Sequence, residues 1–228
     1  VMLQGARIFC DFTSTYMRNE EGLFISVEDK TKALNGEPKL KPEKGNASLV
    51  DQVIIHEAFL YVSYMTSNKS RKEYHTSRSS RYLEESRNIF SFIRESFNLL
   101  MDQSSKDISM SISSLSRCCS IENDEMQKSS YKQLIVLLCA ELESRIKITG
   151  EVEKGFGNML PATLMTHFKT ASAFLEGYLT TGMYKFKDLA IRILDYIEDL
   201  YDPSMSFFIK GDETQISYSI RDIGEILK

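Results

Sequence analysis

Two segments, one near each end of the chain, align with each other over their whole length without a gap. Ala6–Ile25 reads ARIFCDFTSTYMRNEEGLFI, and Ala190–Ile209 reads AIRILDYIEDLYDPSMSFFI. Each segment has a helix-period stretch, then a polar turn, then an aromatic–apolar pair. Internal repeats of this kind are typical of stacked helix pairs, because one pair cannot bury its apolar face alone. The repeat therefore predicts a helical architecture before any reaction can be named.

Apolar residues recur with the 3.6-residue helical period along most of the chain, which predicts an all-α protein. The predicted helices are Val53–Met65, Tyr82–Met101, Ser104–Leu115, Tyr131–Thr149, Ala162–Thr180, Lys185–Tyr201 and Ile216–Leu227. The many serines of Ser104–Leu115 make that helix the least certain to form, because serine hydroxyls compete for backbone hydrogen bonds. Short links make neighbouring helices antiparallel hairpins. We expect one helical domain over residues 1–228, whether the chain is whole or a piece of a longer protein.

Composition narrows the classes of partner. The formal net charge is −4, which argues against nucleic acid, since phosphate binding favours a basic surface. No apolar run reaches the roughly 18–20 residues of a membrane-spanning helix, and the first residues lack the pattern of a secretory signal. The cysteines are too few for a disulfide scaffold. We therefore expect no membrane partner and reduced thiols in a cytoplasmic protein.

Few residues suggest chemistry. His56 and Glu57 are adjacent and could form a general acid–base pair, but helical neighbours point about 100° apart, so a structural histidine is the simpler interpretation. His167 has no acid beside it in sequence. Cys118 and Cys119 could be redox active or could pack in the core. We find no motif for a metal or a cofactor, and we expect neither.

The segment Ala173–Ile209, AFLEGYLTTGMYKFKDLAIRILDYIEDLYDPSMSFFI, resembles one hairpin of the α/α-toroid proteins. The likeness lies in the Thr-Gly turn, the following Tyr, the long amphipathic helix, the Asp-Pro turn and the Phe-Phe pair. Tetratricopeptide repeats share part of this pattern, but the distance from Gly182 to Pro203 is about one turn too long for their unit. The resemblance implies antiparallel hairpins stacked as an incomplete α/α toroid or a helical-repeat array.

The toroid superfamily includes sugar epimerases and glycoside hydrolases, so the resemblance implies a funnel holding acidic or histidine side chains among aromatics. Helix positions, with no motif behind them, place six residues near such a site. The candidate catalytic residues are His56, Glu57, His167 and Glu176, and the candidate binding residues are Tyr61 and Tyr178.

Three functions remain open from the sequence. A non-catalytic module that binds a protein or peptide is favoured by the lack of a catalytic signature, and it predicts an exposed apolar or aromatic groove. A carbohydrate-active or carbohydrate-binding protein is the alternative, with a small sugar as ligand. The third is a homodimer formed through the broad apolar face of Tyr131–Thr149, which Leu138→Arg would separate without unfolding the chain.

Overall fold

The computed structural model describes residues 2–19, 22–25, 47–67, 76–155, 158–202 and 207–208. Within these residues it contains eight α-helices and four short strands, which confirms the all-α fold class. The helices are α1 Met2–Tyr16, α2 Leu49–Ser67, α3 Thr76–Glu95, α4 Phe97–Met101, α5 Ser105–Ile121, α6 Glu125–Glu143, α7 Leu164–Thr181 and α8 Tyr184–Asp199. The strands are β1 Glu153–Gly155, β2 Asn158–Pro161, β3 Tyr201–Asp202 and β4 Phe207–Phe208.

The chain divides into two units, Val1–Phe97 and Asn98–Lys228, which we call the first and second unit. The first is built on the α2–α3 helix pair, with α1 packed beside it. Its core centres on Phe59, whose ring lies 5.8 Å from that of Phe24 and 6.1 Å from that of Tyr82. The side-chain amide of Gln52 donates to the carbonyl of Phe24 and accepts from its N–H. This pairing satisfies the backbone N–H and carbonyl of Phe24, which is buried.

The second unit contains the predicted α7–α8 hairpin, which is confirmed to within two residues at each end. Gly182 caps α7 in the left-handed conformation, with φ 76°. A Cβ on Gly177 would lie 3.0 Å from the Cys139 sulfur, so α6 and α7 approach closely there. The rings of Phe174 and Phe186 pack 6.1 Å apart between the two hairpin helices.

Helix α5 is longer than its serines suggested, because Ser109 and Ser111 are buried and their hydroxyls are hydrogen-bonded. Ser109 donates to the carbonyl of Ser105 and lies 3.0 Å from the hydroxyl oxygen of Thr170 on α7. Ser111 donates to the carbonyl of Asp107. Small side chains with satisfied hydroxyls let α5 and α7 pack closely, and the helix continues through Cys118 and Cys119, both buried.

The predicted end of α6 at Thr149 is wrong, since the helix stops at Glu143. Arg145 lies two residues beyond this helix end and is only 2% exposed, so its guanidinium points into the second unit. It donates to the carbonyls of Met101 and Gln103 at 2.6 and 2.7 Å and pairs with Glu141 at 2.9 Å. Its own carbonyl accepts from Glu153 N–H. The chain therefore leaves the helix where this arginine is bound.

Two other boundaries also differ from the prediction. The helix predicted over Tyr82–Met101 begins earlier, at Thr76, and is interrupted by a turn at Ser96, so that α3 and α4 are separate. The antiparallel pair β1–β2 was not predicted: Gly155, expected in a loop, lies in β1 and pairs with Asn158. The predicted helix Ile216–Leu227 lies outside the described residues.

The two aligned segments share one local arrangement, a helix followed by a short antiparallel pairing. After α1, Arg18 pairs with Phe24. After α8, β3 pairs with β4 in the register Tyr201 to Phe208. The toroid or repeat arrangement of the helix pairs stays a prediction, as does the single-domain organisation.

Gly150 and Gly182 offer a matched test of close backbone packing. Both have positive φ, 93° and 76°. A Cβ on Gly150 would lie 2.2 Å from the carbonyl oxygen of Arg192, whereas one on Gly182 meets nothing within 4 Å. We expect Gly182→Ala to lower the free energy of unfolding by about 1–2 kcal/mol from the left-handed conformation alone. Gly150→Ala should cost clearly more in urea unfolding followed by circular dichroism; equal losses would contradict this account.

Arg145→Met tests the buried guanidinium. The change leaves two backbone carbonyls and the Glu141 carboxylate without their donor, so we expect the free energy of unfolding to fall by about 3 kcal/mol. Arg192→Met is the control, because Arg192 is an exposed arginine of the same unit and surface changes stay within about 0.5 kcal/mol. A loss no larger than that of the control would show that the bonds of Arg145 contribute little.

Candidate functional site

A groove between α1 and α2 in the first unit is the strongest candidate for a functional site. Its volume is about 560 Å³. It is lined by Gly5, Ala6, Phe9 and Cys10 of α1 and by Ile54, Glu57, Ala58, Tyr61 and Val62 of α2. The lining is mostly apolar, and Phe9 and Tyr61 are 58% and 51% exposed. Large aromatic side chains left in water at a groove are typical of a binding surface.

Small residues keep this groove open. A Cβ built on Gly5 would meet nothing within 4 Å, and Ala6 and Ala58 are the only side chains of their size in the lining. Cys10 is 2% exposed, and burial raises the pKa of its thiol to about 11, with the nearby Asp11 carboxylate adding to the rise. The thiol therefore stays protonated at neutral pH and contributes apolar surface to the groove.

The polar contacts of α1 are made with α3. The phenol of Tyr82 donates to the Asp11 carboxylate at 3.0 Å, and Arg81 lies 3.7 Å from the same oxygen. Arg18, just after the helix, pairs with Glu85. These bonds turn the polar side of α1 toward the unit and its apolar stripe toward solvent.

The exposed stripe of α1 forms a hydrophobic ridge beside the groove. The ridge consists of Ile8, Phe9, Phe12 and Tyr16, of which Ile8 is 62% exposed and Tyr16 57%. The rings of Phe12 and Tyr16 lie 5.1 Å apart. The only charged residues of α1 are Arg7, which is buried, and Asp11. The ridge is therefore an uncharged aromatic surface.

Of the residues proposed from sequence, Glu57 and Tyr61 line the groove together, one turn apart on α2. His56 is fully buried, and its Nδ1 lies 2.9 Å from both the carbonyl and the hydroxyl oxygen of Ser86. Its ring stacks on Phe90 at 5.2 Å. Burial lowers the pKa of His56 to about 4. These contacts favour a structural role for His56, as a link between α2 and α3.

His167 has a similar structural setting in the second unit. Its Nε2 accepts from Val152 N–H at 3.0 Å, and its Nδ1 lies 2.9 Å from the Thr163 carbonyl. Since a carbonyl can only accept, the neutral ring carries its proton on Nδ1. The ring stacks on Tyr196 at 5.2 Å. Burial lowers the pKa of His167.

The structure does not bring Glu176 and Tyr178 to His167. Glu176 lies nine positions further along α7, which is roughly 13 Å along the helix axis. The ring of Tyr178 packs on that of Tyr184, 5.3 Å away. Within each unit, the described residues place none of the proposed histidines beside a proposed carboxylate in an open pocket.

A second, smaller groove of about 490 Å³ lies in the second unit. It is lined by Ser129, Lys132, Gln133, Val136, Leu137, Thr181 and Met183. Leu138, the residue chosen from sequence to test a dimer through this helix, is fully buried. Leu138→Arg would unfold the core and so cannot test association; Leu137, 47% exposed, is the residue that faces outward.

Sequence reasoning missed the α1–α2 groove because it considered a surface role for the apolar face of Tyr131–Thr149 but not for that of α1. The signal that could have indicated a surface role was the low charge of α1, whose two charged side chains, Arg7 and Asp11, lie on one face. A helix that is packed by its polar side leaves its apolar side exposed.

The described residues contain neither a candidate metal site nor a candidate membrane-spanning helix. Over the described ranges, no group of three His, Cys, Asp or Glu side chains is placed to hold a metal ion. No helix within those ranges has both the length and the apolar character needed to cross a membrane. All four cysteines are buried thiols.

Comparison with known proteins gave no match: no protein-family model, curated protein or solved structure is significantly similar to the chain. The α/α-toroid resemblance therefore stays a prediction.

Stability should fall in mild acid because both buried histidines are neutral. A folded-state pKa of about 4 for His56, against an ordinary value near 6.5, means that the unfolded state binds the proton more readily. The contribution of His56 is fully present above about pH 6.5 and is lost as the pH falls toward 4, by about 3 kcal/mol in all. His167 acts in the same direction.

We expect His56→Asn to reduce the difference in unfolding free energy between pH 7 and pH 4.5, because the asparagine amide can replace Nδ1–H without titrating. Circular dichroism suits the measurement, since the chain has no tryptophan. Carboxylates titrate in both proteins and cancel in the comparison. A variant that keeps the full pH dependence of the native protein would contradict this assignment.

Proposed function

We propose that this protein is a non-catalytic protein-binding module and that the α1–α2 groove receives an apolar helical segment of its partner. The observation that carries the proposal is the groove of about 560 Å³ flanked by exposed Phe9 and Tyr61. An amphipathic helix laid into such a groove buries aromatic surface on both sides. Burial of that surface supplies the driving force without any catalytic group.

The shape of the groove favours a helix over a small molecule. The groove is open to solvent, and its small residues, Gly5, Ala6 and Ala58, leave room for the backbone of a neighbouring helix. Small-molecule sites instead enclose most of the ligand and aim several polar groups at it. The groove lining has one carboxylate, that of Glu57.

The carbohydrate alternative has less support. Glycoside hydrolysis uses two carboxyl groups about 5–10 Å apart, and the groove lining has only Glu57. His56, its neighbour in sequence, is directed into the core. No described contact therefore favours the sugar-binding function over the protein-binding one.

The proposal is tested by selecting peptides from a library of helical fifteen-residue sequences displayed on phage, with the full chain as target. We expect selected peptides to carry apolar residues at i, i+3 or i+4, and i+7, which is the spacing of a helix that docks in a groove. Phe9→Glu should weaken their binding at least tenfold, because it places a charge at the centre of the contact.

Leu179→Glu is the matched control, since Leu179 is an apolar residue 79% exposed in the second unit. Circular dichroism establishes that both variants are folded. Peptides that bind the Phe9→Glu variant as tightly as the native protein would overturn the proposal, and so would a selection that returns no helical binder for a chain shown to be monomeric.

A further inference from the structure

We propose that the helical segment received by the α1–α2 face is α1 of a second copy of this chain, so that two copies form a two-fold symmetric dimer. This inference rests on the proposed function and names its partner. Three observations within the first unit support it: the face carries both a ridge and a groove, the two charged side chains of its central helix are buried or paired, and its exposed apolar area matches the need of a dimer.

The face carries both halves of a contact. Phe9 and Phe12 project from α1 as a ridge, and the groove lies directly beside them. In a two-fold interface the same patch occurs on both sides, so each ridge must find a groove on the partner. The open space above Gly5 allows a second helix to approach the α1 backbone closely.

The charges of α1 do not oppose such an approach. Arg7 is 9% exposed, and Asp11 is held by Tyr82 and Arg81 on the α3 side. Two copies of α1 can therefore meet without like charges facing each other, which would otherwise disfavour a symmetric contact. Glu57, the one carboxylate of the lining, belongs to α2 and not to the helix at the two-fold axis.

The exposed apolar area of the α1–α2 face is large enough for a dimer interface. The exposed apolar side chains of the ridge and the groove are Ile8, Phe9, Phe12, Tyr16, Ile54 and Tyr61. Aromatic side chains bury about 150–250 Å² each, so this set, exposed by about one half on average, offers roughly 500 Å². A standard interface buries about 800 Å² per partner, of which about 57% is apolar. The set therefore meets the apolar share of a stable interface.

The test is the mass of the full chain measured by light scattering after gel filtration and by sedimentation over a wide range of concentration. We expect a concentration-dependent dimer. Phe12→Glu and, separately, Tyr16→Glu should raise its dissociation constant at least tenfold, because each places a charge in the buried ridge. Leu179→Glu, on the exposed surface of the second unit, should leave it unchanged.

Any result other than this one overturns the inference. The peptides selected in the preceding experiment show whether the proposed function fails with it. A chain that stays monomeric but binds selected peptides at Phe9 overturns the dimer and leaves the binding module. A monomer that binds no peptide overturns both. A dimer unaffected by Phe12→Glu and Tyr16→Glu, or dissociated by Leu179→Glu, forms elsewhere and also overturns the inference.

Discussion

The guanidinium of Arg145 is the interaction on which the second unit most depends. It joins the C-terminal end of α6 to the carbonyls of Met101 and Gln103, which precede α5, and it pairs with Glu141. Its own backbone carbonyl receives Glu153 N–H and so fixes the start of the β1–β2 pair. A buried guanidinium is costly unless its donors are satisfied. Because its partners come from three parts of the chain, those parts must assemble together.

This dependence explains which parts of the fold the sequence could predict. The α7–α8 hairpin followed from apolar spacing and a glycine cap, both of which are local features. The end of α6 did not, because it is set by bonds of Arg145 to residues about forty positions earlier. The extent of α5 was also hidden, since Ser109 is satisfied by its own helix and by Thr170 of α7. Helical propensity describes neighbours in sequence and cannot include such partners.

The candidate site was predictable only in part for a similar reason. Glu57 and Tyr61 were chosen by helix position, and both line the groove. His56 was chosen in the same way, but it is buried against Ser86 and Phe90. Adjacent residues on a helix differ by about 100° in direction, so a pair that is prominent in sequence is divided between core and surface. Only the packing of α2 on α3 decides which member goes where.

The orientation of α1 follows from the same competition between polar and apolar contacts. Had the helix turned its ridge inward, Asp11 would have lost Tyr82, and Glu85 would have lost Arg18. A hydrogen bond that involves a charged group contributes about 1.5–3 kcal/mol to stability. Burying one large apolar side chain also contributes about 1.5–3 kcal/mol. Within one chain the two terms are therefore comparable. The partner helix that we propose would remove the conflict, since it would cover the ridge while α3 keeps the polar side of α1.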